Sequence, residues 1–181
     1  ISVVLADGDA PRPKIRAYFD IEDGPGLTDW ATDPSAPERR FIHEATNLPL
    51  SVIGEGACDA RLSELFGGAD AQRMFTELSS RHPDRLVIVD APPVLATTEA
   101  SVLARHADEI IFVVEADKTP EPAVAAALDE LLEVNPNVSL VLNRCLLPGG
   151  GNHYGSYERY ENLPERGAKA VARRRHEGEK D

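Results

Sequence analysis

A run of four apolar residues closed by a carboxylate and two prolines, Leu86-Val87-Ile88-Val89-Asp90-Ala91-Pro92-Pro93, constrains this chain more than any other stretch. A leucine, two valines and an isoleucine in succession predict a strand buried on both faces, the central-strand pattern of a parallel sheet. Proline has no N–H to give to a ladder, so the strand stops at Asp90 and the chain turns away. Asp90 therefore falls at the carboxyl end of a buried strand, the edge where open α/β sheets bind ligands. A charge there needs a partner, and a hydrated Mg²⁺ on a nucleotide phosphate is one. The competing assignment is a cap for the loop or helix that follows.

Other stretches repeat this grammar. Ile1 to Ala6 reads as a buried strand ending in Asp7-Gly8-Asp9, and Ile110 to Val114 as another. Val138 to Leu142 is the last, ending in Asn143-Arg144. Phe41 to Thr46 and Leu50 to Ile53 are weaker candidates around Asn47-Leu48-Pro49. Helices are predicted at Lys14 to Phe19, Leu27 to Ala31, Arg61 to Phe66, Ala69 to Arg81, Thr98 to His106 and Pro122 to Glu133. In the fourth of these, Met74, Phe75 and Leu78 form a core-facing stripe; in the last, Val124, Leu128, Leu131 and Leu132 share one side. Strands alternating with helices imply βαβ units, hence an α/β domain with a mainly parallel sheet flanked by helices.

Charge narrows the function classes. The net charge of −12 is uneven: seven Lys/Arg and six Asp/Glu lie beyond residue 150, leaving −13 on residues 1–150. An acidic body argues against nonspecific nucleic-acid binding. Cys58 and Cys145 have no metal-ligand spacing and suit a reducing cytoplasm. The chain begins at Ile1, already inside a strand-like run, so the natural N-terminus is expected to lie upstream. The division expected is a domain over 1–147 and a flexible polar tail over 148–181, which holds Tyr154, Tyr157 and Tyr160.

Three strands thus end in polar residues: Asp7 and Asp9, Asp90, and Asn143. Phosphoryl transfer uses such a set, with carboxylates holding Mg²⁺ through water, the metal bridging phosphates, and a base beside the nucleophile. Taken singly, Asp7-Gly8-Asp9 also suits a tight turn, and Asn143 a turn residue.

These motifs resemble the bacterial tyrosine kinases of polysaccharide synthesis, in the deviant Walker (MinD/ParA-like) class of P-loop ATPases. The likeness is greatest to the autokinases that accompany exosortase (PEP-CTERM) systems. Ile1 to Asp9 is similar to the family's second Walker motif, Gly26-Leu27-Thr28-Asp29 to its Gly-Leu-Ser/Thr-Asp step, and Pro83 to Ala100 to its Walker B segment. Val113 to Pro120 and Val141 to Arg144 resemble later segments, so the likeness covers roughly residues 1–160.

The resemblance implies a P-loop NTPase-like fold, truncated at its N-terminus, and an ATP- and Mg²⁺-dependent tyrosine autokinase of exopolysaccharide synthesis. Asp7 and Asp9 would act at the metal and at the attacking hydroxyl, and Asp90 would bind Mg²⁺ through water. Asn143 would contact adenine, with Arg144 beside it. Tyr154, Tyr157 and Tyr160 would be phosphorylated by a neighbouring subunit, a flexible tether giving them a high effective concentration; the competing role is an aromatic patch packed on the domain. The implied partners are other copies of the chain and a membrane-embedded chain-length regulator, which would hold it peripherally at the inner membrane. Two departures stand out. The family's Gly-x-x-x-x-Gly-Lys-Ser/Thr loop is not among these residues, so the chain as given is expected to be inactive alone. Pro11 stands where the family commonly has Arg, and Arg12, one place later, would take its place at the nucleotide, as Asn143 and Arg144 would at the base. The rival functions are a ParA/MinD-like positioning ATPase and an inactive adaptor.

Overall fold

The computed structural model describes residues 1–46, 48–57 and 61–145. The expectations that fall on Asn47, Cys58, the tail and Tyr154, Tyr157 and Tyr160 lie outside the described residues. Ile1–Cys145 forms one unit.

Two β-branched or apolar runs pair first. Strand β1 (Ser2–Asp7) lies between β3 (Ser51–Ile53) and β4 (Arg85–Asp90), parallel to both. Strand β2 (Ile42–Glu44) adds antiparallel to β3, giving the order β2-β3-β1-β4. The register between β1 and β4 sets Ser2 opposite Arg85 and carries through to Asp7 opposite Asp90. Strands β5 (Ile110–Glu115) and β6 (Val138–Asn143) form a separate parallel pair that sets Glu115 opposite Asn143.

Six helices accompany these strands among the described residues: α1 (Ile15–Phe19), α2 (Leu27–Thr32), α3 (Leu62–Gly67), α4 (Ala69–Ser80), α5 (Thr98–Ala104) and α6 (Glu121–Val134). The Pro11/Pro13 pair delays α1 until Ile15, because the residue before proline is held out of the helical region. Helix α6 begins just after Pro120, with Pro122 in its first turn, where a missing N–H costs nothing. Short 3₁₀ turns at Glu38–Arg40 and Val94–Ala96, which periodicity does not reveal, complete the connections.

The core lies on the face of the four-stranded sheet covered by α2, α3 and α4. Trp30, Phe41, Phe66, Met74 and Leu78 are fully buried there with Val4, Ala6 and Ile53. Trp30 stacks on Phe41 with ring centroids 5.2 Å apart. Met74 and Leu78 face inward as their spacing predicts, with Phe75 at the margin.

The burial expected of β4, β5 and α6 needs correcting. Strand β4 is not buried on both faces: Leu86 and Ile88 are exposed while Val87 and Val89 pack against the core. Strand β5 shows the same alternation, with Ile111 and Val113 exposed. The physical reason is that alternate residues of a strand point to opposite faces of the sheet, and only one face of β4 and β5 is covered among the described residues. The strands pair mainly in parallel, as expected, and lie in two sheets among the described residues. On α6 the buried side runs through Ala127 and Leu131, and Leu132 points outward.

Candidate active site at the carboxyl edge of the four-stranded sheet

The parallel register brings Asp7, Asp9 and Asp90 together. Gly8 crosses from the end of β1 onto the end of β4: its N–H donates to the Asp90 carbonyl at 2.8 Å. A methyl group at this glycine would stand 2.9 Å from that carbonyl oxygen and from Val89 Cγ1, so the close approach requires glycine. Asp7 is buried at 1% exposure. Its Oδ1 accepts the Asp9 N–H at 3.2 Å, and its Oδ2 accepts the N–H groups of Lys14 and Ile15, each at 3.0 Å.

Asp9 is half-buried and Asp90 exposed at the strand tip. No hydrogen bond or ion pair engages either carboxylate among the described residues. Desolvation by the residues packed around Asp90, together with the negative charges of Asp7 and Asp9, pushes its carboxyl above the usual range. Carboxylates crowded in this way favour a proton or a cation. Arg12 is exposed on the following turn, and its N–H donates to the Asp9 carbonyl at 2.9 Å.

A second layer secures this edge. Arg16 is 6% exposed. Its Nε donates to Glu55 Oε2 at 3.1 Å, Nη1 to the Glu22 carbonyl at 2.6 Å, and Nη2 to the carbonyls of Gly24 and Pro25 at 2.6 and 3.0 Å. The Gly26-Leu27-Thr28-Asp29 step closes the same junction. Asp29 Oδ2 accepts the Gly26 and Ala57 N–H groups at 2.9 and 3.1 Å, and the Thr28 hydroxyl lies 2.8 Å from the carbonyls of both Glu55 and Ala57. The turn after β3 is thereby fixed to the start of α2. Sequence reasoning missed Arg16 and Glu55; the glycines at 26, 54 and 56 were the available signal, since backbones that pass this closely leave no room for a Cβ.

Asn143 and Arg144 end the other sheet, and the structure does not bring them into contact with the aspartates. The Arg144 N–H donates to Asn143 Oδ1 at 2.9 Å. Glu115 Oε1 accepts from Arg144 Nη1 at 2.8 Å and its Oε2 from Lys118 Nζ at 2.9 Å; the Lys118 and Arg144 bonds hold the Glu115 carboxyl below the usual range. Asp117 and Arg144 both adopt left-handed backbone, with φ of 58° and 56°.

Chemically, two unengaged carboxylates on one sheet edge suit a hard divalent cation that keeps several waters and takes its remaining oxygens from phosphate. The described residues hold no group of three or more His, Cys, Asp or Glu side chains placed to enclose a metal by themselves. The donor set therefore fits Mg²⁺ shared with a phosphate ligand, and not a closed structural site.

No family model matches the chain. Among curated proteins it is 27% identical over 143 residues to the tyrosine-protein kinase Ptk of Acinetobacter johnsonii, covering 78% of this chain and 19% of that one. It is 25% identical over 155 residues to the putative tyrosine-protein kinase CapB of Staphylococcus aureus, covering 85% and 67%. The chain thus spans about a fifth of the length of Ptk. Among solved structures, the kinase domain of the Escherichia coli tyrosine kinase ETK superposes with a TM-score of 0.73 at 24% identity, over 86% of this chain and 60% of that one. The BceF tyrosine kinase domain gives 0.63 at 26% identity, over 76% and 55%. The P-loop NTPase-like fold of those kinase domains is the fold of this chain, and in sequence it is similar to bacterial tyrosine-protein kinases at 25–27% identity.

Proposed function

We propose that this chain is the catalytic portion of an ATP-dependent protein-tyrosine autokinase acting in exopolysaccharide synthesis. The observation that carries the reading is the convergence of Asp9 and Asp90, unpaired and adjacent, on the edge where a parallel sheet receives its ligand. The γ-phosphoryl group of ATP passes to a tyrosine hydroxyl of a neighbouring copy at Tyr154, Tyr157 or Tyr160, leaving ADP and phosphotyrosine. The phenolic proton would go to one of the carboxylates of this edge. Mg²⁺, where bound, would offset the charge that develops on the transferred phosphoryl group. Asp90 would hold that ion through water, and Asn143 and Arg144 would meet the base.

On this reading the open edges of β4 and β5 receive the family's first strand. The phosphate loop that follows it supplies backbone N–H groups and a lysine to the phosphates. The exposed rows Leu86/Ile88 and Ile111/Val113 are then interior. No helix among the described residues is long and apolar enough to cross a membrane. The proposed link to the inner membrane is a membrane-embedded chain-length regulator.

The test is phosphotyrosine formation by the chain joined to its native flanking sequence, with Mg-ATP. Labelling of the wild type and none in a Tyr154/Tyr157/Tyr160→Phe variant supports the autokinase. Steady ATP turnover without any phosphotyrosine would assign the chain to the positioning ATPases, and no ATP binding would make it an adaptor.

A further inference from the structure

We infer that Asp7 is a positioning residue and not a metal ligand: it anchors the turn over residues 8–14, and leaves Asp9 and Asp90 as the two carboxylates that face a divalent cation. This rests on the metal-dependent reading above and divides the labour within it.

The division follows from which lone pairs are already taken. Asp7 Oδ2 accepts two backbone N–H groups, from Lys14 and Ile15, and Oδ1 accepts a third, from Asp9. Lys14 and Ile15 supply orphan donors at the start of α1, which the helix itself cannot satisfy. A carboxylate also suits the positive end of those peptide dipoles. The turn is short of other braces, because Pro11 and Pro13 have no N–H and the Arg12 N–H is used on the Asp9 carbonyl. For Asp7 to bind a metal through Oδ2 it would have to release Lys14 and Ile15, and the turn that carries Asp9 would come loose. Oδ1 keeps one lone pair beyond the Asp9 N–H, and the 1% exposure of Asp7 leaves a hydrated ion little access to it.

A second tie fixes α1 independently. Arg16, one residue beyond Ile15, is held by Glu55 and by the carbonyls of Glu22, Gly24 and Pro25. The helix is thus tied to β1 through Asp7 and to the turn after β3 through Arg16. Asp9 and Asp90 have no such ties among the described residues; Asp90 is exposed, Asp9 half-buried, and they are near enough for the charge of Asp9 to act on Asp90.

The experiment compares Asp7→Asn, Asp9→Asn and Asp90→Asn in the 181-residue chain. It measures amide hydrogen exchange and melting in metal-free buffer, then Mn²⁺ binding in the presence of ADP by electron paramagnetic resonance. An asparagine at position 7 turns one acceptor into a donor facing Lys14 and Ile15. Asp7→Asn is therefore expected to lose exchange protection at Asp9, Lys14 and Ile15 and to melt lower, while keeping Mn²⁺ affinity within a few-fold of the parent. Asp9→Asn and Asp90→Asn are expected to keep protection and lose about tenfold or more in Mn²⁺ affinity. If Asp7→Asn does not fold, Asp7→Ser retains an uncharged acceptor for the same donors, and it is expected to restore protection and Mn²⁺ binding together.

Full protection in Asp7→Asn combined with loss of Mn²⁺ binding equal to that of Asp9→Asn would overturn the assignment. So would a folded Asp7→Ser that binds no Mn²⁺ where the parent does. A parent chain that binds no Mn²⁺ would sink the metal reading, and the exchange data would still decide what Asp7 does.

Discussion

Asp7 and Asp90 stand directly opposite each other as the last residues of two parallel strands, and they are used in opposite ways. The first is buried and spends its oxygens on three backbone N–H groups. The second keeps its oxygens unengaged, and burial and its neighbours' charges raise its carboxyl.

The raised Asp90 carboxyl sets the sign of a pH effect. Between the ordinary value of 3.8 and the folded-state value, the folded chain binds more protons than the unfolded one. In metal-free buffer this group therefore favours folding at low pH, and that contribution is lost as pH rises through the folded-state value. Asp90→Asn should flatten this part of the profile and leave the neutral-pH melting temperature unchanged or higher. In the joined kinase the same substitution should lower phosphotransfer by about 10²-fold or more. Urea unfolding across pH 3 to 8, with a phosphotyrosine assay, checks both.

Arg16→Met should be among the most damaging single changes outside the core. It strands the Glu55 carboxylate, 17% exposed, and removes the donors from three loop carbonyls. Breaking a buried pair from one side costs about 3–5 kcal/mol. A urea midpoint matching that of the parent would contradict the geometry.

Gly26 and Gly54 interlock. A Cβ on Gly26 would overlap the Gly54 carbonyl oxygen, and a Cβ on Gly54 would overlap the Arg16 guanidinium. Alanine at either site should destabilise by about 1–3 kcal/mol, as overpacking does. Gly26→Ala should be the worse of the two, since backbone must move to admit it, and thermal denaturation of both variants tests the order.

Trp30→Ala should cost about 3–5 kcal/mol through loss of the stacked contact with Phe41 and the cavity left behind. Trp30→Phe should cost less, because Trp30 Nε1 is buried with no hydrogen-bond partner to lose. Equal losses for the two variants would contradict this, since phenylalanine keeps a ring to stack on Phe41 and most of the buried volume.

Much of the local structure was legible in the chain. The apolar runs ending in Asp7, Asp90 and Asn143 are strands, and the Met74/Leu78 stripe is core. The burial of β4 was not legible, because four apolar residues in a row look alike whether a sheet face is covered or open. Periodicity reports what a strand can bury, while the neighbours decide what it does bury. The Arg16 clamp was equally hidden: its partners lie 6 to 39 positions away, and three of them are carbonyls that every residue possesses.

By itself, the sequence determined which residues form strands and which carboxylates close them, because proline, glycine and hydrophobic spacing act within a few residues. Only the tertiary structure decided that Asp7 and Asp90 share one edge and that Asp7 spends its charge on the backbone while Asp9 and Asp90 keep theirs. Register and burial are relations between distant segments, and the same Asp-Gly-Asp serves as a turn or a site according to which N–H groups the fold brings to it.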